Sequence, residues 1–159
     1  MILATEPVRI TGIPETRVAV LSHRGDPARI GDSVRAFIAW RREVGLPPSV
    51  SATYNILYGD PATTPPEDFR LDLCAGTDKD IGPNTACVAA GVIPGGRCAV
   101  LRHVGGEDGL KAALVHLCAE WLPQNGEVRR DAPPFLQRVR FGPDVPEGKA
   151  VTDIFLPLA

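Results

Sequence analysis

Residues 88–105 read VAAGVIPGGRCAVLRHVG, and residues 8–25 read VRITGIPETRVAVLSHRG. Nine of these 18 aligned positions are identical, including Ile13/Ile93, Arg17/Arg97, His23/His103 and Gly25/Gly105, where chance gives about one. A chain that repeats itself at a spacing of 80 residues must fold as two copies of one supersecondary unit. Every other feature of the sequence has to fit that constraint.

The first copy reads as follows. Residues 7–13 predict a short strand, Pro14 and Glu15 a turn, and RVAVLSH (17–23) a buried strand. Gly25 ends that strand, and Asp26-Pro27 is an N-cap followed by a proline suited to the first helical turn. The helix runs to about Val44 with an apolar stripe at Ile30, Val34, Phe37 and Ile38. Gly45 and Pro47-Pro48 stop it. TYNILYG (53–59) and FRLDLCAG (69–76) read as strands around a proline-rich turn at 60–68.

The second copy repeats this order. Strands are expected at 87–93 and 97–103, followed by a helix at about 107–122 with the stripe Leu110, Leu114, Leu117 and Cys118. Subtracting 80 carries that stripe onto Ile30, Val34, Phe37 and Ile38, so the periodicity repeats even where the residues differ. Beyond the helices the offset becomes 81: Trp121 answers Trp40, Phe135 answers Tyr54, and Asp153 answers Asp72. One residue has been gained or lost near the helix C-terminus.

These readings predict an α+β fold. Two β-α-β-β copies, about 7–76 and 87–158, form one domain over residues 1–159. They are expected to pair across a pseudo-two-fold axis as an antiparallel sheet, with the two main helices on one face. A concavity is expected on the opposite sheet face or at the seam between the helices, since ligand pockets favour such junctions.

Composition excludes several classes. Net charge is −2 with no basic run, so neither nucleic acid nor an anionic membrane is a favoured partner. The opening MILATEPVRIT lacks a charged n-region and an apolar h-region, and no apolar run has the length of a membrane span. The expected location is the cytoplasm. Cys74, Cys87, Cys98 and Cys118 are scattered without a CxxC pair, and read as buried reduced thiols rather than a zinc site. No cofactor is implied, because Gly105-Gly106 before the second helix lacks the Walker lysine and the GxGxxG pattern.

The large aromatics are the candidate ligand-lining residues. Tyr54, Tyr58 and Phe135 fall on strands, and Trp40 and Trp121 near the helix ends, with core packing as the competing role. His23 and His103 end equivalent strands two residues before a glycine, in position to bond the strand-to-helix turn. Asp72 and Asp153 recur at equivalent strand positions and suit hydrogen bonds from a turn or from an arginine such as Arg70. No Ser-His-Asp spacing is present.

RVAVLSHRG, LYGDPATTPPEDFRLD (57–72), IPGGRCAVLRHVG (93–105), WLPQNG (121–126), RDAPPF (130–135) and TDIFLPL (152–158) occur in this order. Together they resemble the GyrI-like small-molecule-binding domain, the effector module of AraC-type and MerR-type regulators. The resemblance implies the duplicated βαββ architecture and a cleft between the copies for hydrophobic, often cationic, small molecules. It reads as a stand-alone module with Tyr54, Tyr58, Trp40, Trp121, Phe135, Leu136 and His103 as ligand-binding residues. The family's Phe-Glu-x-Tyr pattern, whose glutamate pairs with cations, is replaced here by Phe135-Leu136-Gln137-Arg138. That loss relaxes cation selection and counts against hydrolysis. Glu107, Asp108 and Glu120 are the substitute acids to consider. The implied function is binding of a hydrophobic or aromatic small molecule, for sequestration or effector sensing. The alternatives are a hydrolase of electrophilic xenobiotics, or an interaction module acting on a regulator or DNA gyrase.

Overall fold

The computed structural model describes residues 7–59 and 63–159. The start of the proline-rich turn, 60–62, lies outside the described residues. The strands are β1 (Arg9–Ile13), β2 (Thr16–Arg24), β3 (Thr53–Leu57), β4 (Arg70–Gly76), β5 (Ala89–Ile93), β6 (Gly96–Val104), β7 (Phe135–Arg140) and β8 (Val151–Pro157). The helices are α1 (Ile30–Glu43), α2 (Glu107–His116) and the short α3 (Leu122–Gln124). The fold is α+β, and every strand pairing within the units is antiparallel.

The chain forms two compact units, Glu15–Pro94 and Gly95–Ala159 joined by the chain up to Pro14. In the first, β2 pairs with both β4 and β5, and β3 pairs with β4. In the second, β6 pairs with both β1 and β8, and β7 pairs with β8. The units are therefore offset from the sequence repeats by one strand. β1, the first strand of copy one, completes the second unit, and β5, the first strand of copy two, completes the first. The chain crosses over at the equivalent prolines Pro14 and Pro94.

In the Glu15–Pro94 unit, α1 lies on β2 and β4. Its core joins Phe37, Trp40 and Leu46 to Ala19, Leu21, Leu73, Ala75 and Val88. The expected stripe of α1 is corrected here. Phe37 is buried, but Val34 is 36% exposed and Ile38 45%. The buried face runs instead through Phe37, Trp40 and Arg41, because the chain after α1 folds back around Arg41. The Arg41 guanidinium donates to Leu46 O (2.6 Å), Thr53 Oγ1 (2.7 Å) and Ser51 O (2.9 Å). These neutral acceptors solvate a buried cation that would otherwise be costly. Burial holds its pKa below the ordinary arginine value.

In the second unit the stripe of α2 matches expectation more closely: Leu110, Ala113 and Leu117 are buried. A π-helical turn, Leu117–Trp121, follows α2. A π turn holds one residue more than the α turn it replaces. It lies where the repeat offset steps from 80 to 81, so the extra residue is absorbed inside the helix.

Both copies use one device to pass from strand to helix. Gly25 and Gly105 adopt φ +103° and +133°, a region that L side chains rarely enter. Their amides donate to the equivalent carbonyls of Phe69 and Ala150, each at 2.9 Å. No helix among the described residues is long and apolar enough to cross a membrane.

Candidate functional site

Strand alternation sorts the side chains of the Glu15–Pro94 unit onto two faces. Ala19, Leu21, Leu73 and Ala75 point to α1. The opposite face carries Val20 opposite Cys74 and Ala89, Ser22 opposite Asp72, Asp72 opposite Ile56, and Tyr54 opposite Cys74. On this helix-free face lies a groove of about 480 Å³, with Val20, Ile56, Tyr58, Arg70, Asp72 and Gly91 among its lining residues. The residue types of β5 make room for it. Ala89 and Ala90 are small, and a Cβ on Gly91 would come within 2.6 Å of Val20 Cγ2.

The polar end of the groove is one buried carboxylate and its donors. Asp72, 3% exposed, accepts from Ser22 Oγ at 2.6 Å and from Arg70 Nε and Nη2 at 3.1 and 3.0 Å. The Tyr58 phenol lies close enough to feel the Asp72 charge. The Arg70 guanidinium lies 3.9 Å from the centroid of the Tyr58 ring, a cation–π contact that locks the arginine flat. Burial, and then the Asp72 charge, raise the Tyr58 phenol above its ordinary pKa. Burial raises Tyr54 likewise.

The second unit carries the same carboxylate at Asp153, paired to Arg102 Nε at 2.8 Å and Nη2 at 3.1 Å. In that copy the arginine comes from the strand opposite, at the position Ser22 holds in copy one. The histidines are also equivalent. His23 Nε2 lies 3.0 Å from Asp26 O, and His103 Nε2 lies 3.1 Å from Gly106 O. Each ring bonds the residue that opens the helix. That contact needs an Nε2–H donor, leaving Nδ1 of His23 to accept from Ser33 Oγ at 2.7 Å.

Of the residues expected to bind ligand, Tyr58 lines the groove and Tyr54 lies on the same face. Trp40 is 7% exposed and stacks on Phe37 at 5.8 Å, within the core under α1. In the second unit Phe135 is 4% exposed and stacks on Phe155 at 4.6 Å. Leu136, 5% exposed, sits in register with Ile154 and points to the opposite face from Phe135. Trp121 sits half-buried in the π turn, and its carbonyl accepts from Asn125. His103 serves the turn described above. Glu107 pairs with Arg138 at 2.7 Å and Glu120 with His116 at 3.2 Å; neither they nor Asp108 lines the groove.

Sequence reasoning missed Cys87. Expected to be buried, it is exposed and lines the groove. Its φ is +61°, because Asn84 closes a tight loop over it. Asn84 Oδ1 accepts from Val88 N at 3.0 Å, and Nδ2 donates to Val88 O at 2.8 Å. The apolar neighbours of Cys87 suggested a strand; the Asn-Thr-Ala-Cys run was the available sign of a loop. Cys74 and Cys98 are buried as expected, and burial raises both thiols. Among the described residues no group of His, Cys, Asp and Glu side chains could hold a metal ion.

A family model for the GyrI-like small molecule binding domain matches residues 6–159. The chain belongs to the GyrI-like family. A relative in Escherichia coli K12, named "Probable transcriptional regulator YgiV", is 40% identical over 98% of both chains. The crystal structure of the EcmrR C-terminal domain shares this fold, with TM-score 0.75, 17% identity and 99% coverage of both chains. The crystal structure of a hydrolase encoded by lin2189 from Listeria innocua has TM-score 0.65 and 13% identity, covering 96% of this chain and 91% of that one. At these identities the two structures bear on the fold alone. Small-molecule binding is the activity this GyrI-like membership supports.

Proposed function

We propose that the chain is a small-molecule receptor whose ligand lies in the groove on the helix-free face of the Glu15–Pro94 unit. The observation that carries this reading is the groove itself, about 480 Å³ with a mainly apolar lining and one polar end. Pockets for organic ligands fall between roughly 300 and 1,000 Å³ and combine apolar walls with a few placed polar groups. Val20, Ile56 and Ala89 supply apolar contact, and Tyr58 supplies a rigid aromatic wall. Affinity comes from removing this surface from water, at about 25 cal/mol per Å². The full-length match to a relative named as a regulator supports effector sensing, in which occupancy is passed to a transcription partner. The four free thiols support a reducing compartment such as the cytoplasm.

Ala89→Trp tests the reading, since Ala89 is an exposed groove residue opposite Val20. Wild type is screened by thermal shift against neutral and charged aromatic compounds. Compounds that stabilise it are expected to lose binding by more than about tenfold in the variant, whose own melting temperature stays near wild type. Undiminished binding to the filled groove would place the ligand elsewhere.

A further inference from the structure

We propose that the groove selects apolar ligands bearing an oxygen acceptor, foremost a carboxylate, and rejects cations. This rests on the groove being the ligand site. A carboxylate offers about four lone-pair positions. Asp72 receives three donors: Ser22 Oγ, Arg70 Nε and Arg70 Nη2. Its negative charge is already neutralised by the bidentate arginine, and most of its acceptor capacity is used. A ligand cation there would have to displace Arg70 from a bidentate pair stacked on Tyr58, and gains no free anion in return.

The arginine is not exhausted in the same way. Its Nε edge faces Asp72, while Nη1 makes no hydrogen bond among the described residues. The Arg70 side chain is 32% exposed, against 4% for Asp72. The open end of the fork therefore offers two parallel N–H groups beside an aromatic face, which is the geometry that receives a carboxylate end-on. Among the described residues, Arg70 and Asp72 are the charged groups lining the groove. The exposed, unpaired donors thus lie on the cationic partner, while the anionic one is buried behind it.

Three probes of one shape decide the matter: naphthoate, naphthamide and naphthylmethylammonium at neutral pH. Affinity is measured by calorimetry, and groove occupancy by the slowing of Cys87 alkylation, read by mass spectrometry on its peptide. Naphthoate is expected to bind tightest and the ammonium at least about tenfold weaker, the scale of one charge-assisted hydrogen bond. Arg70→Lys keeps the charge but loses the fork, and is expected to weaken naphthoate about tenfold while changing naphthamide less than about threefold. An ammonium that protects Cys87 and binds as tightly as naphthoate overturns the selectivity and leaves the site standing. Failure of all three probes to protect Cys87 overturns the site and the selectivity together.

Discussion

One step along a strand decides what residue 136 can do. Phe135 and Leu136 are neighbours in sequence but point to opposite faces of β7, and Leu136 shares its face with Ile154 and Leu101. A carboxylate introduced there enters a buried apolar layer rather than an aromatic wall. Leu136→Glu is therefore expected to destabilise the protein by about 3 kcal/mol or more, and Leu136→Met by less than about 1.5 kcal/mol. Urea unfolding measures both, and near-wild-type stability of the glutamate variant would show that position 136 reaches solvent. Asp72 was legible in the sequence because a carboxylate beside Arg70 on an apolar strand has few other roles. Cys87 was not, because a thiol among apolar residues looks the same in a strand and in a loop held by Asn84.

At the scale of elements, the two main helices differ by one residue, and the structure shows where it went. Deleting Ala119, an exposed residue of the π turn, is expected to convert that turn to α-helix and restore the 80-residue offset. The melting temperature should then move by no more than about 4 °C, equivalent to about 1 kcal/mol. The α1 helix has no spare residue. Deleting Ala39 turns Trp40 and Arg41 about 100° away from the core, and a loss at least twice as large is expected in the same thermal melt. Equal effects of the two deletions would show that the π turn does not hold the extra residue. The strands were legible because β-branched runs are punctuated by Gly and Pro. The buried face of α1 was not, because a search for apolar spacing finds Val34 and Ile38 and passes over Arg41. That arginine is buried by its hydrogen bonds to the following loop, a tertiary effect that periodicity does not record.

At the scale of the molecule, the duplication was legible from residue identity, but the partners of its strands were not. Pro14 and Pro94 looked like ordinary turns between consecutive strands. Instead β1 leaves for β6, and β5 returns to β2. A fragment spanning 15–94 holds every strand of its unit, whereas a fragment spanning 1–80 lacks β5 and leaves one edge of β2 bare. The first is expected to show the sharper, more cooperative urea transition by circular dichroism, and the second little more than a broad drift. A cooperative 1–80 fragment would contradict the pairing. The same exchange binds the fates of the two copies. Trading an identical element between neighbours is how domain-swapped homodimers assemble, and here both traders sit on a single polypeptide. The segment between β4 and β5 does the work of a tether, making intramolecular what two separate chains would need mass action to achieve. A mutation in the opening strand of either copy is therefore felt first in the unit built mostly from the other.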